Sequence, residues 1–288
     1  MLKTPPLPFQ GNKTRWQKII TDIINNIDGD CSDYVFVDLF GGSGLVSHWI
    51  KHLKPKSTVI YNDFDNYCER LNKIDETNEQ LNIIRDMIKD FKENEKLSKE
   101  VSNKIIEYLR TLDAPDLLTI ESSLLFAHGG CSHTQSLDEL KKHCFYYRMR
   151  KTDIKNNVDE YLKGLIITHK DWKELYEETK DKYKDKEIVY IMDPPYLYAD
   201  KSGYNDKYWK LADTVLLLKA LYEMDKFIFF NGDKSGFYEF FEVVNNLASN
   251  PIDYKIINKD ANQPLKSKNT RYEYMIISNN LYNYDKTI

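Results

Sequence analysis

Asp193-Pro194-Pro195-Tyr196 follows directly on an apolar run, "EIVYIM" at 187–192, in a chain of 288 residues. Proline cannot donate to a sheet ladder or continue a helix, so two in succession end a strand and stiffen its exit. Such a corner can aim the Asp193 carboxylate and the Pro194 carbonyl at a single amino group. An exocyclic amine such as N6 of adenine has two hydrogens to place and needs two acceptors, and Tyr196 adds a flat face for a base. The carboxyl end of a strand is where open α/β sheets hold their ligands.

A second group of residues lies far upstream. Gly41, Gly42 and Gly44 follow the apolar run "YVFVDLF", and glycine lets a backbone turn tightly and come close to a ligand. The helix expected next presents free N–H groups and a positive dipole end. Asp63 ends the following strand about twenty residues on, placed to accept from ribose hydroxyls. This pairing suits a nucleoside cofactor and leaves NAD and S-adenosylmethionine both open. Phe9 and Lys13, in "PFQGNKTRW", could line the same cleft, with the ring against adenosine or methionine and the ammonium near a carboxylate. Asp171 in "THKDW" supplies a carboxylate at a third strand end, and is equally suited to cap the helix that follows.

The elements that must carry these groups alternate along the chain. Strands are expected at 34–40, 58–63, 164–169, 187–192, 226–231 and 271–278. Helices are expected over "WQKIITDIINNI", "LVSHWIKHL", "WKELYEE" and "DTVLLLKALYEM". Between about 66 and 160 the text is helical and charged, without a convincing core strand. The fold class that follows is α/β: a doubly wound, mostly parallel sheet interrupted by a mostly helical insertion. We expect residues 1–65 and 161–288 to form the catalytic, cofactor-binding domain and 66–160 to form the insertion.

"FQGNK", "FVDLFGGSG", "YNDFD" and "DPPYL" with the following "YNDKYW" resemble the Dam-type adenine-N6 DNA methyltransferases, most closely their compact phage-encoded branch. The motif order, with a long region between the glycine motif and DPPY, is similar to the α arrangement of amino-methyltransferases. The likeness covers 7–65 and 164–232 well and "NTRYEYMIISN" more loosely. It implies a Rossmann-like fold and S-adenosylmethionine as cofactor, leaving S-adenosylhomocysteine, with no metal. It also implies that Phe9, Lys13, Asp63 and Asp193 bind that cofactor and that Asp193 to Tyr196 form the catalytic pocket. The same motifs and the third strand end bring Gly11, Asp38, Phe40, Gly41, Gly42, Gly44 and Asp171 into the cofactor set. Double-stranded DNA is the implied partner, with a cognate restriction endonuclease as a possible second, and a monomer in solution is expected. The stretches "FAHGGCSHTQSLDEL" and "KKHCFYYRMRK" depart from the family, so the resemblance implies no GATC target.

For DNA contact the expected groups are Lys141, Lys142, Arg148, Arg150 and Lys151, interleaved with aromatics, and Lys266, Lys268 and Arg271 near the end. The net charge of −4 excludes a uniformly basic coat but not a local basic patch. Cys31, Cys68, Cys131 and Cys144 have no metal-ligand spacing and read as reduced thiols. The sequence has no signal-peptide segment and no membrane-length apolar run, so a soluble cytoplasmic protein is expected. RNA adenine, a cytosine amine, and a non-catalytic nucleic-acid-binding relic of the same scaffold are the competing readings. An NAD dehydrogenase would leave the DPPY tetrad unexplained.

Overall fold

Short apolar strands that are buried along nearly their whole length need cover on both faces, and this places the sheet between two helical layers. A computed structural model describes residues 1–9, 11–125, 136–142, 145–147, 152–195, 209–232, 236–260 and 272–281. The strands are β1 (Tyr34–Asp38), β2 (Thr58–Asn62), β3 (Ile166–Thr168), β4 (Glu187–Met192), β5 (Lys226–Gly232), β6 (Tyr254–Asp260) and β7 (Tyr272–Ser278). Their order in the sheet is β3-β2-β1-β4-β5-β7-β6. The first five run parallel, and β7 joins β5 and β6 antiparallel. This is the mostly parallel, doubly wound, Rossmann-like sheet expected from the sequence. The strand β6, "YKIINKD", was not expected, because Lys255, Asn258 and Lys259 break its apolar run.

The helices are α1 (Gln17–Asn25), α2 (Leu45–Leu53), α3 (Tyr67–Asn72), α4 (Ile74–Met87), α5 (Lys99–Arg110), α6 (Leu117–Leu124), α7 (Leu137–Leu140), α8 (Val158–Tyr161), α9 (Trp172–Lys182), α10 (Leu211–Glu223) and α11 (Phe237–Leu247). Side chains alternate across a strand with period two. Phe36 of β1 therefore faces one layer, with Trp16, Ile20 and Trp49, while Val35 and Val37 face the other, with Leu217 and Phe241. The helices of the central region do not form a separate core. Leu81, Ile84, Ile105 and Leu124 belong to the same buried cluster as Phe36. Fully burying each such side chain contributes about 1.5–3 kcal/mol, so this region is welded to one face of the sheet. Among the described residues, no helix is long and apolar enough to cross a membrane.

Sequence neighbours β1 and β2 run to one side of the sheet, and the chain then returns to place β4 against the other side of β1. The order reverses between β1 and β4, and at such a reversal the loops leave in opposite directions and open a crevice at the carboxyl ends. Asp38 ends β1 and Asp193 follows β4, so both stand at that crevice.

Candidate active site

The floor of the crevice is the glycine turn between β1 and α2. A Cβ at Gly41 would lie 2.3 Å from the Tyr61 ring and 2.9 Å from the Asn62 carbonyl oxygen, so no side chain fits there. Gly42 has φ +49°, and a Cβ would lie 2.8 Å from the Phe9 ring. Two tyrosines fix the turn from below. Tyr61 Oη donates to the Gly42 carbonyl at 2.8 Å, and Tyr161 Oη donates to the Ser43 carbonyl at 2.9 Å. Asn62, buried at the end of β2, donates to the Leu39 and Lys170 carbonyls and accepts from the Lys170 N–H, tying together the loops after β1 and β3. None of these three side chains was singled out from the sequence. Their partners lie across the sheet, and no local pattern marks them.

Phe9, Gly11, Asn12, Lys13, Asp38, Phe40, Gly41, Gly42, Ser43, Ile191, Asp193 and Phe230 are among the residues that line the cleft. Of the residues expected at a cofactor, Phe9, Gly11, Lys13, Asp38, Phe40, Gly41, Gly42 and Asp193 are thus brought together. Gly44 lies at the start of α2 with φ +73°, just below them. The Lys13 ammonium, buried, donates to the Gly11 carbonyl at 2.7 Å and forms an ion pair with Asp193. It also lies 5.4 Å above the Phe230 ring. Trp16 packs edge-on against Phe230 and donates Nε1–H to Glu273 at 2.9 Å, which anchors the segment that carries Lys13.

Asp38 is buried and accepts from Ser47 Oγ at 2.7 Å. Burial pushes its carboxyl up to about 7, against the lowering effect of the Ser47 bond; the nearby Asp193 raises it further and Lys13 lowers it. Asp63 is also buried, but its partners are its own. Oδ1 accepts from Tyr67 N–H at 2.7 Å and Tyr61 Oη at 3.0 Å, and Oδ2 accepts from Cys68 N–H at 2.9 Å. Asp63 thereby holds the start of α3. Burial, together with the Asp63 charge, pushes the Cys68 thiol up to about 12 and keeps it protonated. Asp171 caps α9 by accepting from Lys173 N–H at 2.9 Å, and it is not among the residues lining the cleft.

Pro194 is buried and Pro195 half-buried at the corner after β4. Lys141 and Lys142 are exposed just after α7. Tyr196, Arg148, Arg150, Lys151, Lys266, Lys268 and Arg271 lie outside the described residues. No group of three or more potential metal ligands occurs among the described residues.

The cleft therefore offers the Lys13 ammonium, paired with Asp193, and the buried Asp38 carboxyl, beside a glycine turn with no side chains to block a ligand. A ligand that carries both a carboxylate and cationic centres, as S-adenosylmethionine does, has a partner there for each sign of charge.

The family described as D12 class N6 adenine-specific DNA methyltransferase matches the chain over residues 9–274. A protein of Haemophilus influenzae whose name reads "Putative methyltransferase" is 34% identical over 255 residues, which cover 87% of this chain and 82% of that protein.

Proposed function

The chain belongs to the D12 class N6 adenine-specific DNA methyltransferases, and from that premise we propose that the corner after β4 is the place of reaction and the cleft beside it the seat of the methyl donor. The observation that carries this reading is the convergence of Asp193, Lys13 and the glycine turn on one cleft at the reversal of strand order.

S-Adenosylmethionine supplies, when bound, a methyl group made electrophilic by its sulfonium. Phe9, Lys13, Asp38 and the Gly41–Gly42 turn are the residues proposed to hold it. Asp63, which the resemblance assigns to the cofactor, is buried, already accepts several hydrogen bonds within the protein, and is not among the residues lining the cleft.

The adenine amine is a poor nucleophile, because its nitrogen lone pair is shared with the ring. Asp193 and the Pro194 carbonyl are proposed to accept its two N–H bonds, favouring the pyramidal form and stabilising the positive charge that grows on N6. One carboxylate about 4 Å from that charge is worth up to ~4 kcal/mol at an effective dielectric near 20, or roughly three decades of rate. The nitrogen then loses one of its two protons, with Asp193 Oδ as the adjacent acceptor. Lys13 holds Asp193 at the cleft before substrate arrives.

An amine inside a duplex cannot reach such a corner, so the adenine must leave the stack. Tyr196 is proposed from the sequence to face it, since stacking of a base on an aromatic ring is worth about 1–3 kcal/mol. The helical region 66–160 is proposed as the DNA-recognising element, with Lys141 and Lys142 on phosphates.

Thermal unfolding tests the cofactor assignment. S-Adenosylhomocysteine at a hundred times its dissociation constant should stabilise the protein by about 2.7 kcal/mol, visible as a rise in melting temperature, while NAD at the same concentration should leave it unmoved. Stabilisation by NAD alone would refute the assignment.

A further inference from the structure

Arg70 of α3 and Asp116, the N-cap of α6, form an ion pair in which Asp116 is buried and Arg70 half-buried, with Arg70 Nε donating to Asp116 Oδ1 at 3.0 Å. The rest of the guanidinium fork serves two other partners. Nη2 donates to the Pro8 carbonyl at 3.0 Å and to Thr119 Oγ1 at 3.3 Å. The charge also lies 5.4 Å over the Tyr67 ring, which meets Phe9 edge-on at 5.6 Å. Tyr67 Oη exchanges hydrogen bonds with the N–H and carbonyl of Leu7, both at 2.9 Å. Residues 7–13, which carry Phe9 and Lys13 into the cleft, are therefore gripped by α3 at their start.

On its other side the pair leads to the basic and aromatic run. Asp116 caps α6 through Thr119, with Oδ1 accepting from its N–H at 3.3 Å and Oδ2 from its Oγ1 at 2.5 Å. Near the far end of that helix the Leu124 carbonyl accepts from Tyr146 N–H at 2.8 Å. Phe145 and Tyr147 are bonded in turn to Leu97, Asn94 and Glu95. A continuous set of bonds thus runs from the segment proposed to touch DNA, through α6 and Arg70, to the wall of the cofactor cleft.

An ion pair drawn this far from water stabilises little compared with an apolar pair of the same shape. What it adds is geometry: a planar fork meets three acceptors only at one separation of its partners. Here those partners belong to two units, α6 and the segment 7–13, and a shift of either strains the other.

We propose that Arg70 and Asp116 are positioning residues that couple DNA binding at the helical region to cofactor binding in the cleft. This rests on the functional reading above. The ligand that first orders the arrangement spares the second that ordering, so each tightens the other.

Titration calorimetry on the full chain tests it, with S-adenosylhomocysteine as one ligand and a mixed-sequence DNA duplex as the other. In the wild type, saturating duplex should tighten S-adenosylhomocysteine by about fivefold or more. Asp116→Asn keeps an oxygen to cap α6 and removes the charge; Arg70→Lys keeps the charge and removes the fork. Each should bind either ligand alone within about threefold of wild type, yet lose the mutual effect to below about twofold. Arg85→Lys, at the exposed Arg85–Asp153 pair on α4, should keep it in full. Coupling retained in Arg70→Lys, or no coupling in a wild type that binds both ligands, overturns the inference alone. A wild type that fails to bind S-adenosylhomocysteine takes the functional reading down with it. If Asp116→Asn does not fold, Arg70→Lys decides.

Discussion

β2 and β4 flank β1, and an aspartate follows each of them, but the two corners are built differently. Asp63 is satisfied from nearby: a tyrosine hydroxyl two residues back and two backbone N–H groups of the helix that begins just after it. Asp193 is met by an ammonium brought from 180 residues away, across the mouth of the cleft. The first arrangement makes a carboxylate part of the scaffold. The second leaves a charge at a cleft, held by a group that a ligand can compete with. Stiffness comes from a different source in each case, hydrogen bonds at Asp63 and two prolines at Asp193.

The largest effect should come from breaking the second corner. Asp193→Ala is expected to lower the single-turnover rate of methyl transfer by about a hundredfold or more while leaving the folded state intact. Loss of the fold instead would make Asp193 a scaffold residue like Asp63. Asp63→Ala should do the opposite, because it strands the Tyr67 and Cys68 N–H groups in a buried place. It should destabilise the protein by about 2–4 kcal/mol in urea denaturation. A loss below about 0.5 kcal/mol would erase the distinction between the corners.

Neutralising Lys141 and Lys142 together should weaken binding to all duplex sequences alike and lower the slope of log affinity against log salt by about 2. An unchanged slope would move the phosphate contacts elsewhere.

The smallest effect concerns His48, a buried ring on α2 whose fixed partners resemble those of Asp63. Its Nδ1 donates to the Tyr161 carbonyl and its Nε2 accepts from Leu2 N–H, both at 2.9 Å. Burial lowers its pKa below the ordinary 6.5, since an imidazolium would lose its solvation and could no longer accept from Leu2. The unfolded chain therefore binds more protons than the folded one. The contribution is complete above pH ~6.5 and is lost as pH falls through the lowered pKa, at a rate below ~1.4 kcal/mol per pH unit. Because Asp38, raised to about 7, gains stability over the same range, the His48 share is read as the difference between wild type and His48→Gln, which should shrink as pH falls from 7 to 5. A difference that stays constant with pH would assign no titration to His48.

How far the sequence led depends on how local each signal is. The glycine turn, Asp193 to Pro195 and the strands that carry them are contiguous patterns, and each of these lies at the strand end where it was expected. Asp63 was legible as a strand-end carboxylate, but its hold on Tyr67 and Cys68 was not, because a capping role leaves the same signature as a ligand role. Asp171 offered both readings from the start, and the cap is the one with a partner in the structure. Arg70 and Asp116 are 46 residues apart and no periodicity links them. Tyr61, Tyr161 and Glu273 likewise act through partners across the fold. The helix α11, "FYEFFEVVNNL", has a clear apolar stripe and could have been read; β6 could not.

The most direct test of the account is to incubate the purified protein with DNA and S-adenosylmethionine labelled in its methyl group, then separate the nucleosides of the product by mass spectrometry. The label should appear in N6-methyl-2′-deoxyadenosine with the wild type and fall to a trace with Asp193→Ala. Label on cytosine, label in RNA in preference to DNA, or undiminished transfer by the variant would contradict it.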